Sequence, residues 1–488
     1  MSAVIGQGSL ATATARPVIV GGVLAALVLG MGTAACAHYA AKPIVPEQTA
    51  AALESRSLSA PELRAFIERN LGHALAEWPP KAWNLEILTL VAFYYSPQLE
   101  VSRAQWSVAN AAVVTAGTHP NPTLSITPDF ATNAPSGIPP WLPSIALDVP
   151  METARKRGHR VAQAQQLSES VRWSVVTTAW DVRRKLTGAL LDYTIARNRE
   201  NLLSRQLDLQ AEVVRLQEGE RAAGAVALSD GTAARIQLGR TRLDLEATRA
   251  QVAESHAQIA QALGIPLHAL QGANLSFEFG PADASALTSE DARHGALQSR
   301  SEVRGALADY EATQAALQLE IAKQYPDLHL GPGYQWDQGQ NDWFIGLTAE
   351  LPVFNRNEGP IAEAAARRTE AADRFIALQA SIIHEIDAAI AALKAADEAS
   401  MAANALLTAQ RQNLQAIEAQ VDAGALGAFD LASARIDATI VETLAFESRA
   451  RRQQAVRALE DAVQRPLGAE MDAQATVLQI EATQHPPR

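Results

Sequence analysis

The sequence predicts a mainly α-helical protein with a β-barrel portion, built from a helix–β-hairpin–long helix–helix unit that occurs twice. Three observations predict this fold class. Hydrophobic residues make up 48% of the 488 residues, yet aromatic residues make up only 5%, and alanine dominates the apolar set, which is typical of long packed helices. The two halves of the chain match each other. Four short segments alternate with a period of two, as strands with two different faces do.

The first 35 residues have the pattern of a secretory signal peptide. Arg16 is the only charged side chain before an apolar run over residues 18–29, and small residues follow it. Cys36, the only cysteine, comes next, so neither an intrachain disulfide nor a cysteine cluster can form. We expect Cys36 to be acylated as the first residue of a lipoprotein. The alternative is an ordinary cleavage site that contains a cysteine.

The remaining chain is a duplication of one whole unit. The offset between the halves is 200 near their ends, where Arg235 aligns with Arg435, and it grows to 204 further upstream. We assign residues 36–84 to an N-terminal segment, 85–280 to the first repeat, 281–470 to the second repeat and 471–488 to a C-terminal tail. The clearest aligned segments are residues 121–126 with 325–330, 145–150 with 347–352, and 223–230 with 423–430.

Each repeat has the same predicted order of elements. The long central helix of the first repeat covers about 58 residues, which corresponds to about 87 Å. Helices of this length imply coiled-coil packing against neighbours. The predicted elements are first helices over 85–118 and 289–323, hairpins over about 122–150 and 326–352, long helices over 161–218 and 361–421, and last helices over 231–263 and 430–464.

The four predicted strands are long enough, with apolar and polar faces, to be transmembrane barrel strands. Four strands cannot close a barrel, so several copies of the chain are needed, and three copies would supply twelve strands. The alternative is a half-buried sheet in a soluble domain. The predicted lumen residues are Asp129, Asp148, His329, Gln335, Asp337, Thr348 and Glu350. The predicted interfacial aromatic girdle consists of Phe130, Trp141, Tyr334, Trp336, Trp343 and Phe344.

These motifs resemble the TolC-type outer membrane factors, and most closely the CzcC-like branch associated with heavy-metal efflux. Each motif alone is weak, but their order, duplicated at constant spacing, is specific and covers nearly all of the chain after Cys36. The matching segments are residues 121–124 and 325–328 at the strand starts, 149–153 with 156–160 and 351–357 with Gly359 at the strand ends, and 63–67, 78–79 and Trp83 near the N-terminus.

The resemblance implies a homotrimer with a twelve-stranded barrel in the outer membrane of a Gram-negative bacterium and a long α-helical tunnel in the periplasm. It also implies a periplasmic adaptor, or membrane fusion protein, and an inner-membrane pump of the RND type or another type. Residues 36–84 would then be periplasmic. The implied function is a passive outer-membrane channel of a tripartite efflux system, for heavy-metal cations or small toxic compounds.

The glycine-containing turns between the long and last helices are the predicted periplasmic tips. Gly224 and Gly424 permit the chain reversal. We expect the tips to contact the adaptor, and the alternative is that they are only turns and helix caps. The predicted contact residues are Ala223, Gly224, Ala225, Val226, Ser229, Ala423, Gly424, Ala425, Leu426 and Asp430. Glu218, Glu220 and Asp422 are candidates for a cation-attracting aperture that Arg221 could latch; the alternative is solvated helix surface.

Other function classes have little support in the sequence. The formal net charge of −12 argues against a nucleic-acid partner. The chain offers no glycine-rich phosphate loop, nucleophile elbow or metal-ligand cluster, so we expect no enzyme activity, no cofactor and no resident metal. Two alternatives remain open: an outer-membrane conduit for drug efflux or type I secretion, and a lipid-anchored periplasmic coiled-coil scaffold.

Overall fold

The structure is a computed structural model, and its described part divides into two compact units with the boundary between Ser55 and Arg56. The first unit contains one described helix, α1 (Pro46–Glu54), which begins with a proline at its first turn. Cys36 lies outside the described residues. The structure describes residues 38–222, 228–277, 284–337 and 339–466, without the side chains of residues 228–231.

The second unit confirms the predicted fold class and the duplicated order of elements. Each long helix follows a β-hairpin and is followed by a shorter returning helix. The elements are α2 (Pro61–Leu71), α3 (Leu85–Tyr95), α4 (Pro97–Ala116), β1 (Thr123–Phe130), β2 (Trp141–Met151), α5 (Lys156–Ala222), α6 (Leu228–Leu263), α7 (Glu290–Ser299), α8 (Ser301–Ala322), β3 (Leu328–Asp337), β4 (Gln340–Ala349), α9 (Glu358–Asp422) and α10 (Ala428–Val463).

The prediction of a single helix at the start of each repeat is wrong. The first breaks at Ser96, whose extended backbone ends α3 and whose hydroxyl caps α4. Pro97 explains this break, because a proline disfavours helical dihedrals in the residue before it. The second breaks at Arg300, between α7 and α8, where no proline is present. The equivalence of the two breaks shows that the bend belongs to the repeat.

The four strands form one antiparallel sheet in the order β1-β2-β3-β4. In the first hairpin Leu124 lies opposite Leu147, and in the second Leu328 lies opposite Ala349. The first strands of the two hairpins are offset by 204 residues and the second strands by 202, so both hairpins have the same register. β1 and β4 are the two edges of the sheet.

The helices lie side by side in two overlapping sets. Near the sheet the order of packing is α4–α5–α8–α9, and further from the sheet it is α6–α5–α10–α9. By length and composition alone, α9 is apolar enough to cross a membrane, the one such helix in the part of the chain that the structure describes. Its apolarity comes largely from alanine, which also permits the close helix packing seen along α10.

The main hydrophobic core joins residues 56–84 to the first repeat. Leu63 and Ile67 of α2 pack in one cluster with Phe93 of α3. Arg56 connects two helix ends, because its Nη1 donates to the carbonyl oxygens of Tyr95 at 2.8 Å and Gly264 at 2.7 Å. A β-carbon on Gly264 would lie 2.6 Å from the Tyr95 oxygen, so this close approach requires glycine.

The second repeat builds the equivalent junction with different residues. Gln464 ends α10 with a positive φ of 48°, as Gly264 follows α6 with a φ of 70°. The side-chain oxygen of Gln464 accepts from the backbone N–H of Ser301 at 3.0 Å. Arg300 donates to the carbonyl of Ala462 at 2.9 Å. Both repeats therefore bind an arginine to helix C-terminal carbonyls, where a positive charge is favourable.

Candidate functional site

One face of the sheet is apolar across all four strands. A single row of paired residues runs through Ile126, Ile145, Tyr334 and Trp343. These side chains are not covered by the rest of the chain, since Trp343 is 80% exposed and Ile126 is 65% exposed. Soluble monomers rarely expose a continuous apolar surface of this kind. Its presence indicates contact with lipid or with another protein.

The opposite face of the sheet is polar. The neighbouring row runs through Thr127, Ser144, Gln335 and Asp342. The alternation also brings the predicted lumen residues to this face, except that Glu350 lies one residue beyond the end of β4. Their role in a lumen stays a prediction. The predicted lumen residues on this face are Asp129, Asp148, His329, Gln335, Asp337 and Thr348.

His329 and Asp148 form a contact across the polar face. The Nδ1 of His329 lies 3.0 Å from one carboxylate oxygen of Asp148 and 3.1 Å from the other. The two residues are on β3 and β2, so the contact joins the two hairpins. Among the described residues there is no group of three or more histidine, cysteine, aspartate or glutamate side chains that could hold a metal ion.

The aromatic residues cluster at the loop ends of the hairpins. Phe130 stacks edge-on against Trp141, and Tyr334 tilts against Trp343, each with ring centroids 4.9 Å apart. The two pairs occupy equivalent positions in the two repeats. Trp336 follows on the same face of β3, opposite Asn341. Five of the six predicted girdle residues therefore share the apolar face.

Phe344 differs from the other five predicted girdle residues in the face on which it lies. The register places Phe344 opposite Gly333, on the polar face. A β-carbon on Gly333 would lie 2.3 Å from Cζ of the Phe344 ring, so the ring lies directly over the glycine backbone. The aromatic side chain covers the backbone that glycine leaves exposed, a pairing known to stabilise strands that contain glycine.

The corner after β2 is tied to the start of β3. Thr153 donates its hydroxyl to the Pro326 carbonyl at 2.6 Å and its backbone N–H to Asp327 at 2.9 Å. The buried Lys156 donates to the same Asp327 carboxylate at 2.8 Å. Ala154 and Arg155 both have positive φ, at 51° and 58°. Such strain persists only where surrounding contacts hold it, and the contacts to Asp327 do so.

The corner after β4 is fixed at its end but open at its start. Asn357 has a φ of 62° and donates to the carbonyl of Glu320 at 2.8 Å. The preceding segment is apolar and uncovered: Leu351 is 70% exposed, Val353 is 67% exposed and Phe354 touches almost nothing. The two corners are equivalent in the repeats, so they differ because β2 has a neighbour and β4 is an edge.

The tip of the second helical hairpin is an ordered reversal. Gly424 has a φ of 73°, and its N–H bonds to the carbonyl of Val421 while that of Ala425 bonds to Gln420. This is the Schellman arrangement, which requires a left-handed residue at its centre. Ala423 and Ala425 are exposed and Leu426 is half-buried.

Asp430 supports the start of α10. It lies in the first turn of the helix rather than at its cap, and its carboxylate accepts from the N–H of Gly427 at 2.9 Å. In the first tip, residues 223–226 lie outside the described residues. Ser229 lies in α6, but its side chain is not described. Adaptor contact by the predicted tip residues stays a prediction.

Equivalent ion pairs join the two helices of each hairpin near the tip. Glu218 binds Arg235 in the first hairpin, and Glu418 binds Arg435 at 3.1 Å in the second. Because Arg235 of the same hairpin occupies Glu218, a latch by Arg221 would have to use Glu220 or Asp422, and it stays a prediction. The alignment of Arg235 with Arg435 in the sequence was a signal for these pairs, although their glutamate partners were not recognised as such.

Glu220 and Asp422 are the aperture candidates that remain accessible. Both are exposed, and neither forms an ion pair within the described ranges. The two hairpins contact each other along α5 and α10, where Arg205 lies 3.4 Å from Glu442. The charged groups near the tips thus serve different contacts, and only part of them is available to line an opening.

A sheet with one apolar face, carried on paired helical hairpins, defines the class of membrane proteins that embed strands in the bilayer and extend helices beyond it. A family model described as outer membrane efflux protein matches residues 92–265 and 292–463, more than half of the chain. The two matched blocks coincide with the two repeats. The chain therefore belongs to the outer membrane efflux protein family.

The chain is also similar in sequence to a named protein. The chain is 25% identical over 288 residues to the cobalt-zinc-cadmium resistance protein CzcC of Cupriavidus metallidurans. The match covers 58% of this chain and 65% of the relative, so it spans slightly less than two-thirds of the length of CzcC.

Solved structures share the fold. The outer membrane protein VceC of Vibrio cholerae is similar with a TM-score of 0.63 and 18% identity, covering 78% of this chain and 95% of that chain. The CmeC outer membrane channel of Campylobacter jejuni is similar with a TM-score of 0.63 and 15% identity, covering 91% and 96%. Nearly the whole length of each structure is matched, so the fold of this chain is that of outer-membrane channel proteins.

Proposed function

We propose that the protein is the outer-membrane channel subunit of a tripartite efflux system and conducts its substrates passively. The observation that carries this proposal is the sheet, which has one apolar face and two unpaired edges, β1 and β4. An open edge cannot persist in hydrocarbon, because no water is present to bond its N–H and C=O groups. Closure of three copies into twelve strands removes every edge, with the polar face toward the lumen.

The helices support the same assembly. α6 and α9 are the outer members of the row α6–α5–α10–α9, and each carries exposed apolar side chains, among them Leu243 and Met401. In a ring of three copies, α9 of one copy would meet α6 of the next, and these side chains would become buried. The closed row of helices would form a tunnel wall that extends into the periplasm and meets the adaptor at its tips.

The energy for transport would come from an inner-membrane pump linked through the adaptor, since a passive duct performs no chemistry. For the substrate we propose heavy-metal cations, because the relative CzcC is described as a cobalt, zinc and cadmium resistance protein. Drug efflux and type I secretion are the competing substrate classes. A polar lumen suits hydrated cations, and it is compatible with other hydrated solutes as well.

The channel is tested with a Cys36→Ala protein exported through an ordinary signal peptide. Loss of the acyl anchor should leave a protein that still requires detergent for extraction, because the sheet itself holds it in the membrane. Native mass spectrometry should show a trimer, and planar bilayers should show discrete conductance steps. Release into aqueous buffer without any conductance would overturn the channel and support the lipid-anchored scaffold. The unmodified protein is the control.

The substrate class is tested by deleting the gene in its own host. The deletion strain should become sensitive to cobalt, zinc or cadmium, and plasmid-borne protein should restore growth. A strain that keeps its metal tolerance but becomes sensitive to dyes and antibiotics would instead support drug efflux. An unrelated outer-membrane porin expressed from the same plasmid is the control for a general change in permeability.

A further inference from the structure

We propose that β4 of one copy pairs with β1 of the next in one specific register, in which Leu351 lies opposite Ile126 of the partner subunit. This pairing would extend β4 from Ala349 to Val353. The inference rests on the trimer proposed above and goes beyond it, because it states which residues meet at the joint between copies.

The two hairpins pair in the same register. The contact between β2 and β3 can therefore serve as a template for the contact between β4 and β1 of the next copy. Ile126 lies opposite Ile145 in the first hairpin. Adding the repeat offsets of 204 and 202 gives Leu330 and Leu347, which lie opposite each other in the second hairpin. The offsets come from the sequence alignment of the two repeats, and the paired residues of the two hairpins differ by the same offsets in the structure.

The template is the joint between the repeats, where β2 pairs with β3. Val149 lies opposite Leu330, and Met151 lies opposite Leu328. The same offsets convert the first pair into Leu351 and Ile126 of the partner subunit. They convert the second pair into Val353 and Leu124 of the partner subunit. Both converted pairs join apolar residues, as the two-residue period of strands requires if the faces are to match.

The unequal lengths of β2 and β4 support the extension. β2 has 11 residues and continues to Met151, because β3 pairs with its last residues after β1 has ended at Thr123, opposite Asp148. β4 ends at Ala349, where its neighbour β3 begins at Leu328. Within the described ranges, no strand pairs with residues 350–353. A β1 strand from the next copy would supply the missing partner.

Polar contacts at the internal joint have counterparts on the free edges. The Thr153 hydroxyl donates to the carbonyl of Pro326, and the offsets convert this into Asn355 with Pro122 of the partner subunit. The same offsets convert the contact between His329 and Asp148 into a contact between Ser125 of the partner subunit and Glu350. In both cases the converted residues are a donor and an acceptor. Ser125, Glu350 and Asn355 are exposed in the single chain.

Disulfide cross-linking tests the register in the full-length protein. Leu351→Cys combined with Ile126→Cys places two thiols directly opposite each other, about 4.5–5.5 Å apart between Cα atoms, which is within disulfide range. The comparison variants combine Leu351→Cys with Leu124→Cys or with Pro128→Cys. A slip of two residues moves the partner by about 7 Å along the strand, too far for a disulfide. Variants with one added cysteine reveal any reaction of Cys36.

Under mild oxidation the matched pair should give a covalent trimer on non-reducing gels, at a yield about tenfold above either displaced pair. A displaced pair that reacts as well as or better than the matched pair overturns the register. So does the absence of cross-linking from all three pairs. Native mass spectrometry of the same samples separates the two proposals, because a trimer with the wrong register leaves the channel standing, whereas a protein without trimers overturns both.

Amide hydrogen exchange gives a second test that needs no substitution. The N–H group of Leu351 should be protected in the detergent-solubilised trimer if β4 extends, whereas that of Val353 already donates to the Leu351 carbonyl at 2.8 Å within the chain and does not discriminate. Rapid exchange there, with protection along residues 343–349 retained, would overturn the extension. The corresponding residue Val149 of β2 provides the matched reference within the same chain.

Discussion

Asp327 lies one residue before β3 and holds the corner of the first hairpin. Burial raises the pKa of Asp327, but the hydrogen bonds from Lys156 and from the Thr153 N–H outweigh this effect, and its pKa lies below the ordinary aspartate value. The ionised form is therefore favoured by folding. Its contribution to stability is present above the ordinary aspartate pKa and is lost as the pH falls through the lowered value.

We predict that Asp327→Asn lowers the midpoint of thermal unfolding at neutral pH. The substitution leaves the buried Lys156 without its acidic partner, and an unsatisfied buried group costs about 1–3 kcal/mol. The difference from the unmodified protein should shrink as the pH falls below the ordinary aspartate pKa, because Asp327 is then protonated first in the unfolded chain and, at still lower pH, in the folded chain. Circular dichroism melts in detergent measure both effects.

Asp373→Asn is the matched control, because Asp373 is exposed on α9 and forms no ion pair among the described residues. It should change the midpoint little at any pH. An Asp327→Asn protein that melts like this control at neutral pH would show that the corner is held by other contacts, with Thr153 and Pro326 the first to examine.

Individual side chains were predictable where strand alternation decides their position, and less so where a neighbour decides it. The apolar positions Leu124, Ile126 and Ile145 follow from the period of two. Phe344 also follows that period, but its aromatic character suggested the lipid boundary. The space over Gly333 on the adjacent strand determines where the ring lies, and that space depends on register, which the sequence of one strand does not contain.

At the scale of the elements, the helical tips separate two kinds of acidic residue. Glu218 and Glu418 bind arginines of their own hairpins, whereas Glu220 and Asp422 are exposed without ion pairs among the described residues. A carboxylate already neutralised by arginine contributes little to the potential at an opening. The unpaired carboxylates should therefore dominate the attraction of cations.

We predict that Glu220→Gln combined with Asp422→Asn lowers the cation-over-anion permeability ratio by about fivefold, equivalent to about 1 kcal/mol for the loss of neighbouring charges in water. Reversal potentials in planar bilayers with a salt gradient measure the ratio. The matched controls remove whole ion pairs, Glu218→Gln with Arg235→Gln and Glu418→Gln with Arg435→Gln, and each should leave the ratio nearly unchanged because the net charge stays the same. If the controls lower the ratio as much as Glu220→Gln combined with Asp422→Asn, this division of roles is contradicted.

Element boundaries show the limits of sequence patterns. The long helices and returning helices were predicted to within about five residues, because glycine-containing turns and prolines mark their ends. The breaks at Ser96 and Arg300 were missed. Pro97 was a local signal for the first break. No proline marks the second break, where the N–H of Ser301 at the start of α8 donates to the side-chain oxygen of the distant Gln464.

At the scale of the whole molecule, most of the fold could be predicted from the duplication in the sequence. The two repeats, their shared order and the common register of their hairpins follow from aligned segments of one sequence. The contribution of residues 56–84 could not be predicted in this way, because the placement of Arg56 between Tyr95 and Gly264 depends on contacts distant in sequence. The aperture was inferred from acidic residues near the glycine-containing turns, and their positions in the sequence do not specify which charges pair.

The free edges of β1 and β4 have a genetic consequence. If every edge must find a complementary edge on another copy, one copy with a damaged edge leaves the whole ring open. In a cell that makes intact and damaged chains in equal amounts, random mixing leaves only about one ring in eight free of damaged chains. An edge mutation should therefore behave as dominant over the normal allele, whereas loss of the gene should be recessive.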